Sequence, residues 1–340
     1  MCMNYFLKLF FILTLILCIS CNRNSETKIY HSKRENIVNV REKVKEIKIN
    51  EDDVLIGSVA RLTLLDNYLI IHDNRSLDKL IRIFDKNNFN YLTSVGERGQ
   101  GPNEITIMGF IGTNDKDRIF YVSDHGKQRI LAFSLDSVLI NPSYFPVVNV
   151  EMKQSQFPSN YQYISDSLSI GVIIEPIGNN DFDQSVAKWN MNTGEITPFP
   201  YRHPDIKKKR IAFAVSMEND IYVECYLNHD LMTICNFNGE LKYVIYGPEW
   251  SEKNTNLHYF GKVVFCGDNM LAAYSGGNWQ TEYEPTKFMV FDLSGNYIKT
   301  LETGYKIPDY CYDKANNRII MNIDDIDLQF AYLDLDGLVE

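Results

Sequence analysis

Phe120-Tyr-Val-Ser-Asp-His-Gly-Lys-Gln-Arg-Ile-Leu-Ala-Phe-Ser-Leu-Asp136 decides the fold. An apolar strand runs into a polar turn, a second strand follows with an aromatic near its end, and a further turn comes after. Versions of this cassette recur about six times after residue 60, at spacings of about 40–55 residues, the signature of a propeller or solenoid. The second strands and their turns begin at Ile81, Ile130, Val186, Met232, Phe288 and Phe330. Each alternates with period two and then meets a turn rich in Asn, Asp, Ser or Gly. Asn238-Gly239, Ser294-Gly295 and Asp336-Gly337 are hairpin turns, because Gly, and less freely Asn or Asp, accepts positive φ.

The upstream halves fit the same plan. Leu69–His72, Ile119–Val122, Ile170–Ile174, Ile221–Cys225, Met270–Tyr274 and Ile319–Asn322 precede the six hairpins, and short turns before several of them leave room for an inner strand. Four strands, six times, predicts an all-β, six-bladed propeller of four-stranded antiparallel blades over residues 37–340. After Gly337 too little chain remains for a last outer strand. Ile37–Ile49 alternates well and has no blade of its own, so it is expected to close the ring and pair its open edges.

The 340 residues are 45% hydrophobic and 13% aromatic, enough for a sizeable core, and all-β closed folds routinely run this long as one domain. The formal net charge of −10 argues against nucleic acid, which needs a basic footprint. Residues 1–20 read as a targeting segment to be kept out of the fold. Lys8 supplies the positive charge, and Leu9–Ile19 an apolar run shorter than the roughly 20 residues that span a bilayer. Cys18-Ile-Ser-Cys21 resembles a relaxed bacterial lipobox, which implies cleavage before Cys21 and lipidation of its thiol. Acyl chains then anchor the protein by roughly 0.8 kcal/mol per buried CH₂. Residues 21–36 are polar, lack periodicity and are expected to form a flexible tether.

Of the remaining cysteines, Cys225 and Cys235 lie on two strands flanking Asn228-His-Asp230 and are either joined as a disulfide, which an exported protein permits, or two buried free thiols, the blander reading.

Val95-Gly-Glu-Arg-Gly-Gln-Gly-Pro-Asn-Glu104, followed by Arg118–Asp124 and Gln128–Phe133, resembles the NHL type of six-bladed propeller, and more narrowly the TolB-like propeller lipoproteins of bacteria. The likeness is specific in the first two blades and generic later. It implies the fold, lipoprotein status in the outer membrane, and a binding or assembly role.

Candidate contacts gather on the face where one blade hands over to the next. Three glycines in the 96–104 loop permit close backbone approach, so the loop could form an anion-accepting nest of N–H groups beside Arg98, Gln100 and Glu104; the alternative is a plain blade-linking turn. The mid-blade turns add Asp73, Arg75, Asp124, Lys127 and Arg129, with Trp279 as aromatic platform, a set suited to a glycan or a protein partner. No catalytic residues stand out. The alternative function is a lyase or hydrolase using a divalent metal in the central channel. His72, His125 and His229 are its ligand candidates, but His125 falls out of register with the others. No other cofactor is expected. Lys207–Arg210 is the one basic block and reads as a solvated loop.

Overall fold

The computed structural model describes residues 27–49, 54–141, 143–152, 158–178, 181–253 and 256–339. Three short strands come first: β1 (Lys28–Tyr30), β2 (Ile37–Asn39) and β3 (Lys45–Glu46). Blade 1 is β4 (Arg61–Leu65), β5 (Tyr68–His72), β6 (Lys79–Asp85) and β7 (Tyr91–Glu97). Blade 2 is β8 (Met108–Asn114), β9 (Ile119–Asp124), β10 (Arg129–Ser134) and β11 (Val147–Glu151). Blade 3 is β12 (Pro158–Ser165), β13 (Leu168–Gly178), β14 (Asp181–Trp189) and β15 (Ile196–Pro198). Blade 4 is β16 (Ile211–Ser216), β17 (Ile221–Tyr226), β18 (Leu231–Asn236) and β19 (Leu241–Tyr246). Blade 5 is β20 (Leu257–Cys266), β21 (Asn269–Asn278), β22 (Lys287–Asp292) and β23 (Tyr297–Glu302). Blade 6 takes β24 (Asp309–Asp313), β25 (Arg318–Asn322) and β26 (Phe330–Asp334) from the end of the chain and β3 from its beginning. Six antiparallel blades and closure by the N-terminal segment are as the repeats predict.

Alternation explains why the blades stack. Successive side chains of a strand point to opposite faces, and in a ring both faces meet a neighbour. The apolar core is accordingly split into six clusters, one at each junction between adjacent blades. Phe120 and Phe133 stack against blade 1 (ring centroids 4.9 Å apart), Tyr161 and Trp189 fill the junction of blades 2 and 3, and Phe288 and Tyr310 that of blades 5 and 6. Strand β17 is buried at every position because it faces two junctions at once. The same parity settles the cysteines. Cys225 opposes Met232 and belongs to the junction with blade 5; Cys235 opposes Tyr222 and belongs to the junction with blade 3. They lie on opposite faces of one sheet and both are free thiols, which corrects the disulfide alternative.

Two further features differ from expectation. The turn after β10 is a short helix, α1 (Leu135–Ile140), whose N-cap Ser134 accepts from the Ser137 N–H. The segment expected as a tether is ordered from residue 27 onward. Strand β1 adds in parallel to the outer edge of β19, and β2 adds in parallel to β23, so with β3 the segment straps the rims of blades 4, 5 and 6 in turn. Between them Arg34 enters the junction of blades 4 and 5. Its guanidinium donates to Asp230 Oδ1 at 2.6 Å and lies over the Phe260 and Phe291 rings at 5.9 and 5.3 Å. Both members of the ion pair are buried. Farther along, Arg41 donates to the Gly304 carbonyl and covers the Tyr305 ring. Among the described residues no helix is long and apolar enough to cross a membrane.

Removing one partner of a buried ion pair leaves the other charge stranded. Arg34→Ala is therefore expected to lower the unfolding free energy by about 3–5 kcal/mol, read from urea unfolding of the purified protein. A loss below about 1 kcal/mol, the range of an exposed pair, would show that this contact does not fasten the strap.

Candidate functional site at the channel mouth

The innermost strand of every blade lines the propeller axis. On the face that carries the blade-to-blade links, the axis opens into a cavity of about 250 Å³. All six blades contribute: Arg61 and Thr63 from β4, Phe110 from β8, Asn160 from β12, Phe213 from β16, Lys262 from β20 and Asp309 from β24. His72 at the end of β5 and His258 at the start of β20 complete the wall. The long loop after β21 folds over the rim and contributes Tyr283, Glu284 and Pro285. Its approach depends on Gly261, where a Cβ would stand 2.9 Å from Pro285 Cγ. A second cavity of about 270 Å³ continues the channel and shares Phe110, Asn160, Phe213 and Lys262 with the first, so these four form the waist.

Two cations, Arg61 and Lys262, and two acids, Asp309 and Glu284, line the mouth. Lys262 Nζ donates to Asp309 Oδ1 at 2.9 Å, and the other oxygen of Asp309 accepts the Leu62 N–H at 2.6 Å. Arg61 is exposed and has no hydrogen-bond or ion-pair partner among the described residues. His72 is 1% exposed, and neither ring nitrogen has a partner. Burial, followed by the charges of Arg61 and Lys262, pushes its pKa down to about 3, so the imidazole is neutral at ordinary pH. Burial likewise lowers His258, which stacks on Tyr283 with ring centroids 4.2 Å apart. Burial, followed by the Asp324 charge, raises the Glu284 carboxyl against the opposing pull of Lys306.

The residues singled out from the sequence lie on this same face, but most are engaged in holding the links between blades. Asp124 is fully buried and accepts the backbone N–H groups of Thr106 and Ile107 at 3.2 and 3.1 Å, with Arg129 beside it. Asp73 accepts the N–H groups of Gly57 and Arg75. In the glycine-rich loop the nest is filled by the loop itself: Glu104 Oε2 accepts the Gly101 N–H at 2.7 Å, and a Cβ at Gly99 would fall 1.9 Å from that same oxygen. Lys127 donates to the Gly101 and Glu104 carbonyls, and Arg129 to those of Pro102 and Glu104. Arg75, Arg98 and Gln100 are exposed on the outer part of the face, and Trp279 is half-exposed in the loop that also carries Tyr283. None of these lines the mouth cavity.

The three metal-ligand candidates stand in separate surroundings. His72 is in the channel wall, His125 packs against Gly109, and His229 bonds the Ser251 carbonyl and packs on Trp250. Among the described residues no three His, Cys, Asp or Glu side chains form a metal-binding group. The basic block is solvated, as expected, only at Lys207 and Lys208. Lys209 is buried, with Nζ 2.7 and 2.8 Å from the Glu224 oxygens, Lys208 pairs with Asp181, and Arg210 covers the Phe182 ring. Arg61, His258, Lys262 and Asp309 were not found from the sequence. Their signal is a polar residue at the axis-facing end of an inner strand, visible only once those strands are delimited. Cys21 and residues 1–20 lie outside the described residues.

The six-bladed β-propeller family model DUF5128 matches residues 20–262. The chain belongs to that family. No functionally curated protein matches it in sequence. A member of the DUF4221 family from Bacteroides vulgatus is similar in structure, at 13% identity over 88% of this chain and 98% of that one (TM-score 0.63). So is a “Putative exported protein” from Bacteroides fragilis, at 9% identity over 90% and 98% (TM-score 0.57). A luciferin-regenerating enzyme aligns at 9% identity over 85% and 94% (TM-score 0.56). At these identities the likeness is one of fold.

Two measurements check this account. Asp124→Ala is expected to expose residues 99–107 to proteases and to cost about 1–3 kcal/mol, the penalty for stranding buried N–H groups; an unchanged cleavage pattern would contradict the pinning role. For His72, the unfolded imidazole binds a proton near pH 6.5 while the folded one resists it down to about 3, so stability is lost as pH falls through that window. Between pH 6.5 and 5 the wild type should lose about 2 kcal/mol more than His72→Gln in urea unfolding. Parallel losses would mean that His72 protonates normally in the fold.

Proposed function

We propose that the protein is an exported lipoprotein of the outer membrane, anchored through Cys21, whose propeller is a binding module that holds a glycan or protein partner at the channel mouth. The observation that carries the binding reading is the cavity itself. It is concave, drawn from all six blades, and combines an aromatic ring at its rim with polar groups that the fold leaves unpaired. The lipobox-like Cys18–Cys21 and the resemblance to TolB-like lipoproteins support the anchor. A metal-dependent lyase or hydrolase has no comparable support, since the histidines it needs stand apart.

Fractionation of native cells tests the anchor: Cys21→Ala should move the protein from the membrane to the soluble exported fraction, and retention in the membrane would overturn it. Cross-linking from the same cells tests the face. A ligand captured by the wild type should be lost with Tyr283→Ala. Undiminished capture by both Tyr283→Ala and Trp279→Ala would remove the site from this face.

A further inference from the structure

We propose that the mouth cavity is a subsite for a sugar acid, with the carboxylate held by Arg61 and His72 and the sugar ring laid against Tyr283. The inference rests on the reading of the mouth as the ligand face and gives that ligand a chemical class.

Arg61 and His72 are cross-strand partners in the β4–β5 register. Directly opposed residues have Cβ atoms about 4.5–5.5 Å apart and project from the same face of the sheet, here toward the cavity that both line. His72 brings a polar ring that is buried and unpartnered, an arrangement that costs stability unless something bonds it. A neutral imidazole offers one N–H donor and one acceptor. Arg61 brings an unpaired guanidinium, whose planar fork matches the two oxygens of a carboxylate. Lys262 does not compete for that role, because Asp309 already holds its ammonium. Asp309 in turn is matched by Lys262 and the Leu62 N–H, so it does not cancel Arg61.

The remaining wall suits the rest of a sugar. Tyr283 is half-exposed and fixed in orientation by its stack on His258. The negative face of an aromatic ring favours the weakly positive C–H groups that a pyranose presents on one side. Glu284 and Asn160, which also line the cavity, supply polar atoms for hydroxyl groups. A cavity of about 250 Å³ falls just below the range of roughly 300–1,000 Å³ typical of drug-sized ligands, so it accepts one ring and not a folded oligomer. The opening faces solvent, leaving a path for the rest of a glycan chain.

The test is isothermal titration of the full-length protein in detergent with D-glucuronate and, in parallel, with D-glucose as its neutral twin. Glucuronate should bind saturably and at least tenfold more tightly than glucose. Arg61→Gln, a surface change that leaves the core intact, should remove that preference, and His72→Gln should weaken glucuronate by several-fold. Absence of glucuronate binding, equal affinity for the two sugars, or an Arg61→Gln variant with undiminished preference would overturn the inference. The broader binding reading fails separately, by undiminished capture of the native ligand in the Tyr283→Ala and Trp279→Ala variants.

Discussion

Every blade of this protein buries both of its faces against neighbours, and that requirement governs the rest of the structure. A sheet with two apolar faces has no stable end, so the stack must return on itself. The critical junction is the one between the last blade and the first. There Cys311, Ile320 and Phe330 meet Leu62, Leu69, Ile71 and Phe84. A polar lock reinforces the seam: Asp313 accepts from Lys86 at 2.9 Å and from Arg318 at 3.1 Å, while Arg318 also donates to the Lys86 carbonyl. Burial would push the Asp313 carboxyl up, yet hydrogen bonds from Asn316 and Lys86 and the Arg318 charge hold it below its usual value. Because the seam joins residues more than 200 positions apart, it can form only when the ring is nearly complete.

The same geometry separates what the sequence discloses from what it conceals. Strand–turn–strand cassettes are local, since period two and Asn-Gly or Ser-Gly turns are written in adjacent residues, and they map onto β5–β6, β9–β10, β17–β18 and their counterparts. Helix α1 was missed because its cue, Ser134 accepting from Ser137, sits inside a turn that reads equally well as a hairpin. Strand β1 is three residues long and mostly exposed, so neither alternation nor apolarity marks it, and β2, within the alternating Ile37–Ile49, docks on blade 5 where closure of the last blade was expected. The site was harder still. Asp73, Asp124 and Glu104 look like ligand-binding acids, but their partners are backbone N–H groups, which no side-chain pattern reveals. Arg61 is unremarkable in sequence and His72 stands out only as a metal-ligand candidate; the two become neighbours only through strand register.

The mouth therefore inverts the usual economy of the rest of the fold. Elsewhere on this face acids and bases are engaged in the links they hold, as with Lys127 and Arg129 on the 101–104 carbonyls. Around the axis, the Tyr310 hydroxyl lies 2.8 Å from both the Lys262 and Leu271 carbonyls, which share its one hydrogen, and Lys262 is tied to Asp309, which fixes the wall in place. Against that rigid background both ring nitrogens of His72 are left with open valences, and Arg61 has no protein partner among the described residues. Preorganised, unsatisfied groups on stiff elements are what a small ligand needs if it is to bind without reordering the protein.

The docking of β1 also fixes how far the propeller can stand from a membrane. In the anchored form proposed above, only the seven residue-to-residue steps from Cys21 to Lys28 separate the acylated thiol from the rim of blade 4. At about 3.3–3.6 Å per residue fully extended, that leash reaches no more than roughly 25 Å, less than half of what a free segment through residue 36 would span. The body would ride close to the lipid headgroups with blade 4 nearest to them.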